Sequence, residues 1–461
     1  MTATAANVTL ENVKREVDLL IRGGIVMPMV DDTDWFTGDV LVDDGRIVEV
    51  ASGSCAEGTR ARRTLDASDA AVVPGFIQGH VHVVQSLLRH QAEDVDLLEW
   101  LRGYTWPYEA SLDGDGVEAA AELGIAELLC GGTTTALDFG TCRHHDRVFR
   151  VAQRLGIRLL SGKTHMDMGS DVPKTLLEDT DQSLAAAEEI GDRWHGAAGG
   201  RLRYAVAPRF ALSCSRRLLE GCAALARSRG WLLQTHASEN ADEVAAVQAE
   251  TGLGNIDYLS DVGLAGDDVV LAHGVHLEPD EIVSLAAAGT MICHCPGTNL
   301  KLGSGIADVP RLRSAGIPVL IGADGAPCNN RLSMFHEMGL AATLHNLRHG
   351  AAALPAATVL AMATREAAKA LQLGHITGSL EVGKAADVTV IDLGGWALQP
   401  AGHPATRIVH GATAADVRHV VVDGRPVVVD SVLRAGDTLE MGRRIRSAWQ
   451  ATRSRMERLA P

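Results

Sequence analysis

The sequence predicts an α/β protein: a (β/α)8 barrel with a small composite β-sandwich domain formed by both chain ends. Three observations predict it. Between about Pro74 and Leu373, eight short apolar runs rich in β-branched residues alternate with Ala- and Leu-rich helical stretches. The two ends of the chain share another texture, short strands joined by tight turns. Finally, 461 residues that are 46% hydrophobic but only 4% aromatic, with 48 glycines, can bury a large core and suit close helix-to-strand contacts.

Residues 1–73 are expected to form the N-terminal part of the sandwich. They contain VDLLIRGGIVM and GDVLVDDGRIVEVA, where Asp43-Asp44-Gly45 has hairpin-turn chemistry. The barrel is placed at residues 74–374. Its strand candidates are VVPGFIQGHVH, TTTALDFG, IRLLSGKTHM, LRYAVAPRF, WLLQTHASE, VVLAHGVHL, TMICHCP and IPVLIGADG. Helical stretches such as GVEAAAELGIAELLC, TDQSLAAAEEIGDRWH, SRRLLEGCAALARSRG, EPDEIVSLAAAG and VPRLRSAG fall between them, as parallel crossovers require. Residues 375–461 return to strands, with ADVTVIDL and VRHVVVDGRPVVV turning at Asp423-Gly424, before a terminal helix from about Gly442. No repeat of 20 to 50 residues competes with this division.

The composition excludes several classes of partner. A net charge of -16, from 58 acidic against 42 basic residues, repels nucleic acid and anionic membranes. The N-terminal stretch MTATAANVTLENVKREVDLL has no apolar signal core, and no segment stays apolar for a membrane span. A cytoplasmic protein is therefore expected, with a homo-oligomer as its expected assembly. Eight scattered cysteines, including the pair in Cys293-His294-Cys295, lack the spacing of a disulfide framework or a zinc ribbon and read as packing residues.

The candidate site lies in what ends each run. His80 and His82 flank one valine, and a strand's period of 2 sends both imidazoles to the same side. The fifth run ends in His236 followed by Ser238 and Glu239, the sixth in His273, and the eighth in Asp324. A barrel gathers strand ends on its C-terminal face, and three imidazoles with one carboxylate suit one Zn²⁺, or else Fe²⁺, with a position left for water.

The stretches PGFIQGHVH, QTHASENADEV, LAHGVHL, HCPGTNLKLGSGIADVP and GADGAPCNN resemble the successive motifs of the amidohydrolase superfamily, in its branch of aminohydrolases acting on purines, pyrimidines and triazines. The resemblance runs on to GSLEVGKAADVTVIDL. SGKTHMDMGSDVPKTLLEDT, APRFALSCS and GADGAPCNN are most similar to 5'-deoxyadenosine and methylthioadenosine/S-adenosylhomocysteine deaminases, while DLLEWLRGYTWPYEA and PRFALSCS also resemble guanine deaminases.

This resemblance implies a hydrolytic deaminase of a 6-aminopurine nucleoside. His80, His82, His236 and Asp324 would hold one divalent metal, which lowers the pKa of water from 15.7 to about 7. Glu239 would protonate the ring nitrogen beside the attacked carbon and serve the departing amine. His273 would hydrogen-bond the nucleophile, and Asp324 would also accept its proton. Glu109 matches the position of a ribose acceptor. Arg209 stands where a histidine commonly contacts the base, and it donates several hydrogen bonds but accepts none. His144, His145, His165, His276 and His294 are assigned no catalytic role.

Guanine deamination and triazine hydrolysis remain open on the same residues. A hydantoinase-like or dihydroorotase-like enzyme would place a carbamylated lysine where Arg209 stands, and Lys163 on the third strand is read as a bystander. A non-catalytic scaffold has no need for such a complete set of converging imidazoles.

Overall fold

The computed structural model describes residues 15–31, 34–55 and 59–459; the start of the polar N-terminal stretch, up to residue 14, lies outside them. The apolar runs form eight parallel strands. They are β1 (Phe76–His82), β2 (Thr133–Asp138), β3 (Arg158–Ser161, extended by Thr164–His165), β4 (Leu202–Pro208), β5 (Leu232–Ala237), β6 (Val269–His273), β7 (Met291–His294) and β8 (Val319–Ile321, extended by Asp324–Gly325). Each pairs with its neighbour in sequence. The sheet closes because β8 changes partner along its length: Val319 faces Ile292 of β7, whereas Asp324 faces Val81 of β1.

Every strand contributes to the packed interior, through Ile77, Leu137, Leu160, Ala205, Leu232, Val270, Met291 and Leu320. The barrel is thus a solid core and not a pore. Cys293 and Cys295 pack in this same cluster, and all eight cysteines are free thiols. Helices such as Gly114–Cys130, Thr180–Trp194 and Arg216–Arg229 cover the outside. Their starts are fixed by side-chain caps from Asp113, Asp179 and Ser215, which satisfy otherwise unpaired N–H groups.

The first run does not make one strand. Ala70–Pro74 belongs to the other sheet, antiparallel to Val388–Asp392, and β1 starts only after Gly75. The cause is local: Pro74 has no N–H to donate, and Gly75 lies so close to Thr134 that an added Cβ would stand 2.1 Å from its side chain. Among the described residues the expected sandwich takes the form of one connected nine-stranded sheet drawn from residues 15–74 and 388–433. Its core mixes Leu19, Ile21, Val40 and Val72 with Val388, Val390 and Val421.

This sheet is fastened to the end of the barrel opposite the candidate site. Arg158, at the start of β3 and 2% exposed, donates from Nε to Asp387 Oδ2 at 2.9 Å. Thr389 Oγ1 donates to the carbonyl of Gly132, just before β2, at 2.7 Å. The terminal helix, Thr438–Leu459, leaves the sheet and packs along Gly114–Cys130, where Arg444 meets the buried Glu122 at 2.7 Å. Among the described residues no helix is long and apolar enough to cross a membrane.

Candidate metal-dependent active site

Four strand ends bring together the side chains singled out in the sequence. Among the described residues, His80, His82, His236 and Asp324 form a group able to share one ion, with ligand atoms within 4.8 Å of one another. Metal bonds of about 2.0 to 2.2 Å limit any two ligand atoms to roughly 4.4 Å, so the group needs little movement to close on a cation. Asp324 Oδ1 lies 3.3 Å from Nε2 of both His80 and His82, and Nε2 of His82 lies 3.1 Å from Nε2 of His236.

The hydrogen bonds around the rings decide which nitrogens face inward. His236 Nδ1 donates to the carbonyl of Arg209 at 2.7 Å, which leaves its Nε2 with a lone pair. His80 Nε2 is buried and has no hydrogen-bond partner. Burial holds all three imidazoles below their usual pKa, so they are neutral and ready to donate to an ion. Inward lone pairs and one carboxylate at such separations fit a divalent cation.

Glu239 and His273 stand beside this group. His273 Nε2 lies between the two carboxylates, 3.5 Å from Glu239 Oε2 and 4.0 Å from Asp324 Oδ2, with no hydrogen-bond partner of its own. Its ring is oriented by Nδ1, which donates to Asn299 Oδ1 at 2.9 Å. Burial first, then the charges of Asp324 and Glu243, push the Glu239 carboxyl well above the usual range. Its Oε1 is buried without a partner. Ser238, His273 and Asp324 also adopt positive φ angles of 51°, 77° and 57°. Non-glycine residues in this region cost about 1 to 3 kcal/mol each, and such strain clusters where side chains must be aimed.

A pocket opens over these groups. Trp100, Leu101, Phe210 and Leu302 form its apolar wall, and Gln85 and Arg209 supply polar contacts. Trp100 and Leu101 lie where a helical run over 97–111 widens into a π turn, Leu101–Thr105, an irregularity common beside functional sites. Glu109 is not brought to the cavity. It sits behind Arg209, with Oε2 accepting from Arg209 Nη1 at 2.6 Å and Oε1 accepting from Gln85 Nε2 at 3.0 Å.

Sequence reasoning missed Gln85, Asn299, Trp100 and Asp138. Asp138 ends β2 and accepts from the Val83 N–H at 3.0 Å and from Ser161 Oγ at 2.5 Å, which fixes the chain just after His82. Its position at a strand end was the available signal. Lys163 is buried in an ion pair with Glu178 and donates to Ser183 Oγ, away from the metal group. His145, His165 and His276 are engaged with Ser161, Ser183 and the Ser304 carbonyl.

A parallel barrel with a His-His-His-Asp cluster at its strand ends and an adjoining carboxylate defines a class of metal-dependent barrel hydrolases. The chain belongs to the amidohydrolase family, whose profile matches residues 71–427. It is 38% identical over 434 residues to a 5-methylthioadenosine/S-adenosylhomocysteine deaminase of Symbiobacterium thermophilum, covering 93% of this chain and 98% of that one. To a 5'-deoxyadenosine deaminase of Methanothermobacter thermautotrophicus it is 36% identical over 397 residues, 86% and 90% of the two chains. An adenosine deaminase from Xanthomonas campestris, solved with bound zinc, superposes with a TM-score of 0.89 at 32% identity, covering 95% and 99%. The protein is accordingly a hydrolase acting on C–N bonds, with a divalent metal as cofactor.

Proposed function

We propose that this enzyme hydrolytically deaminates a 6-aminopurine nucleoside at C6, giving the 6-oxo nucleoside and ammonia. The observation that carries the reading is the placement of Glu239 beside, but outside, the group His80, His82, His236 and Asp324, all of it under one pocket. Those four residues would hold the metal, Zn²⁺ by preference, which would supply a hydroxide-like nucleophile at neutral pH. Asp324 Oδ2 accepts the first proton that water gives up. Glu239 donates its own proton to the ring nitrogen next to the attacked carbon, its burial and the neighbouring Asp324 and Glu243 favouring the protonated form. The proton on the new hydroxyl passes through Glu239 to the departing amine. The proton on Asp324 returns to Glu239 across His273, which lies within 4.0 Å of both. Of water's two hydrogens, one leaves on ammonia and the other replaces the proton that Glu239 gave to the ring nitrogen.

Ammonia release from adenosine, 5'-deoxyadenosine, methylthioadenosine, S-adenosylhomocysteine, guanine and 8-oxoguanine tests this. Nucleosides with a small or absent 5' substituent are expected to turn over fastest. Guanine faster than every adenosine analogue would overturn the choice of base.

One observation favours a second reading, deamination of an oxo-aminopurine such as guanine. Both oxygens of Glu109 are already engaged, and the group that reaches the cavity is a donor, Arg209, suited to a carbonyl. Glu109 then acts through Arg209 and not on ribose. Glu109→Gln is expected to weaken kcat/KM for nucleosides and free bases alike, because it loosens the same guanidinium in both cases. A loss confined to nucleosides would return Glu109 to the ribose site.

A further inference from the structure

We infer that Glu337 is a positioning residue for this reaction, a buried clasp joining the two loops that aim His273 and Asp324. Glu337 lies on the helix Met334–Leu344, completely buried, and neither the fold nor the chemistry described so far uses it. One carboxylate oxygen, Oε2, accepts from the backbone N–H of Gly297 at 2.9 Å. The other, Oε1, accepts from Asn329 Nδ2 at 2.8 Å. The first arm holds the short helix Pro296–Lys301 that follows β7, and the second holds the end of the short helix Ala326–Asn329 that follows β8.

Each arm leads to a functional side chain in one further step. Two residues past Gly297 is Asn299, whose Oδ1 orients the His273 ring. On the other side, Asn329 Nδ2 also donates to the carbonyl of Ala323 at 2.8 Å, and Ala323 immediately precedes Asp324. The contact is tight: a Cβ added at Gly297 would stand 2.7 Å from both Asn329 Nδ2 and Glu337 Oε1. Asp324 and His273 hold strained positive φ angles. Such conformations persist only when surrounding bonds over-determine them, and a buried carboxylate with two N–H partners provides that constraint. A carboxylate kept in an apolar interior costs stability unless it is fully bonded, so its presence here calls for a role that a hydrophobic residue could not fill.

This inference rests on the assignment of Asp324 and His273 given above, and the experiment separates the two. Glu337→Gln keeps the volume but turns one acceptor into a donor facing other donors. Asn329→Leu breaks the second arm and leaves the carboxylate in place. Both variants, loaded with zinc, are expected to lose 10- to 100-fold in kcat with KM within about twofold, and to release zinc to a chelator about tenfold faster, the range typical of outer partners of metal ligands. Glu122→Gln serves as the control, being another buried carboxylate, bonded instead to Arg444 and Arg154 on the outside of the barrel. It is expected to lower the melting temperature with kcat and zinc release unchanged. Equal kcat and zinc release in wild type and Asn329→Leu, or the same losses in Glu122→Gln, would overturn the clasp. A wild type that deaminates none of the amines would refute the proposed activity alone, because zinc release still reports on the clasp.

Discussion

Glu239→Gln is expected to reduce turnover by about 10² to 10⁴-fold or more while leaving zinc content and the melting temperature close to wild type. The substitution preserves size and keeps an acceptor, but an amide cannot give up and regain a proton. Glu239 sits three residues beyond His236, at the point where β5 has ended and the chain turns through Ser238 with φ 51°. Its backbone N–H donates to Glu243 Oε2 at 2.8 Å, so the variant retains the bond that fixes the backbone there. The side chain is 3.5 Å from His273 Nε2 and is absent from the group that shares one ion. The loss should therefore fall on kcat, with substrate binding little altered, since the proton is needed only as water adds and as the amine departs. Zinc lost from the variant would make Glu239 a ligand. Activity near wild type would move the acid-base role, with His273 the first residue to examine.

The strand ends were legible because two simple periodicities act together. Alternation along β1 put His80 and His82 on one side, and parallel crossovers put the ends of β1, β5, β6 and β8 on one face. Long-range side-chain pairing had no such rule. Arg209 and Glu109 are 100 positions apart, and nothing local says that the arginine ending one strand will hold a glutamate placed after another. The pairing of Glu109 with that guanidinium has no signal in the sequence around either residue. The same limit hid the link from Glu337 to Gly297, 40 positions away, although HCPGTN and GADGAPCNN were both recognised as motifs. The division of the first run had a visible cue in Pro74-Gly75. Both residues weaken a continuous strand, yet hydrophobic character on either side masked the change of sheet.

His80→Ala is expected to leave the purified protein with a small fraction of the roughly one zinc per chain carried by wild type, and to remove its activity. The effect of the substitution is geometric more than electrostatic. His80, His82 and Asp324 are buried together with the half-buried His236, and His80 Nε2 has no hydrogen-bond partner to satisfy it. Removing that ring leaves two nitrogens and one carboxylate, and opens a void beside Phe139, whose ring centroid lies 5.6 Å from that of His80. Water can fill the vacated position but supplies a weaker ligand than a preoriented imidazole. Because a metal that binds only the folded state stabilises it by mass action, wild type should gain about 4 kcal/mol when free zinc exceeds its dissociation constant 1,000-fold. A chelator should therefore lower the melting temperature of wild type clearly and reversibly, and that of His80→Ala hardly at all. Equal zinc content in the two proteins, measured by elemental analysis, would remove His80 from the ligand set. A chelator response in the variant as large as in wild type would show that the ion is held elsewhere.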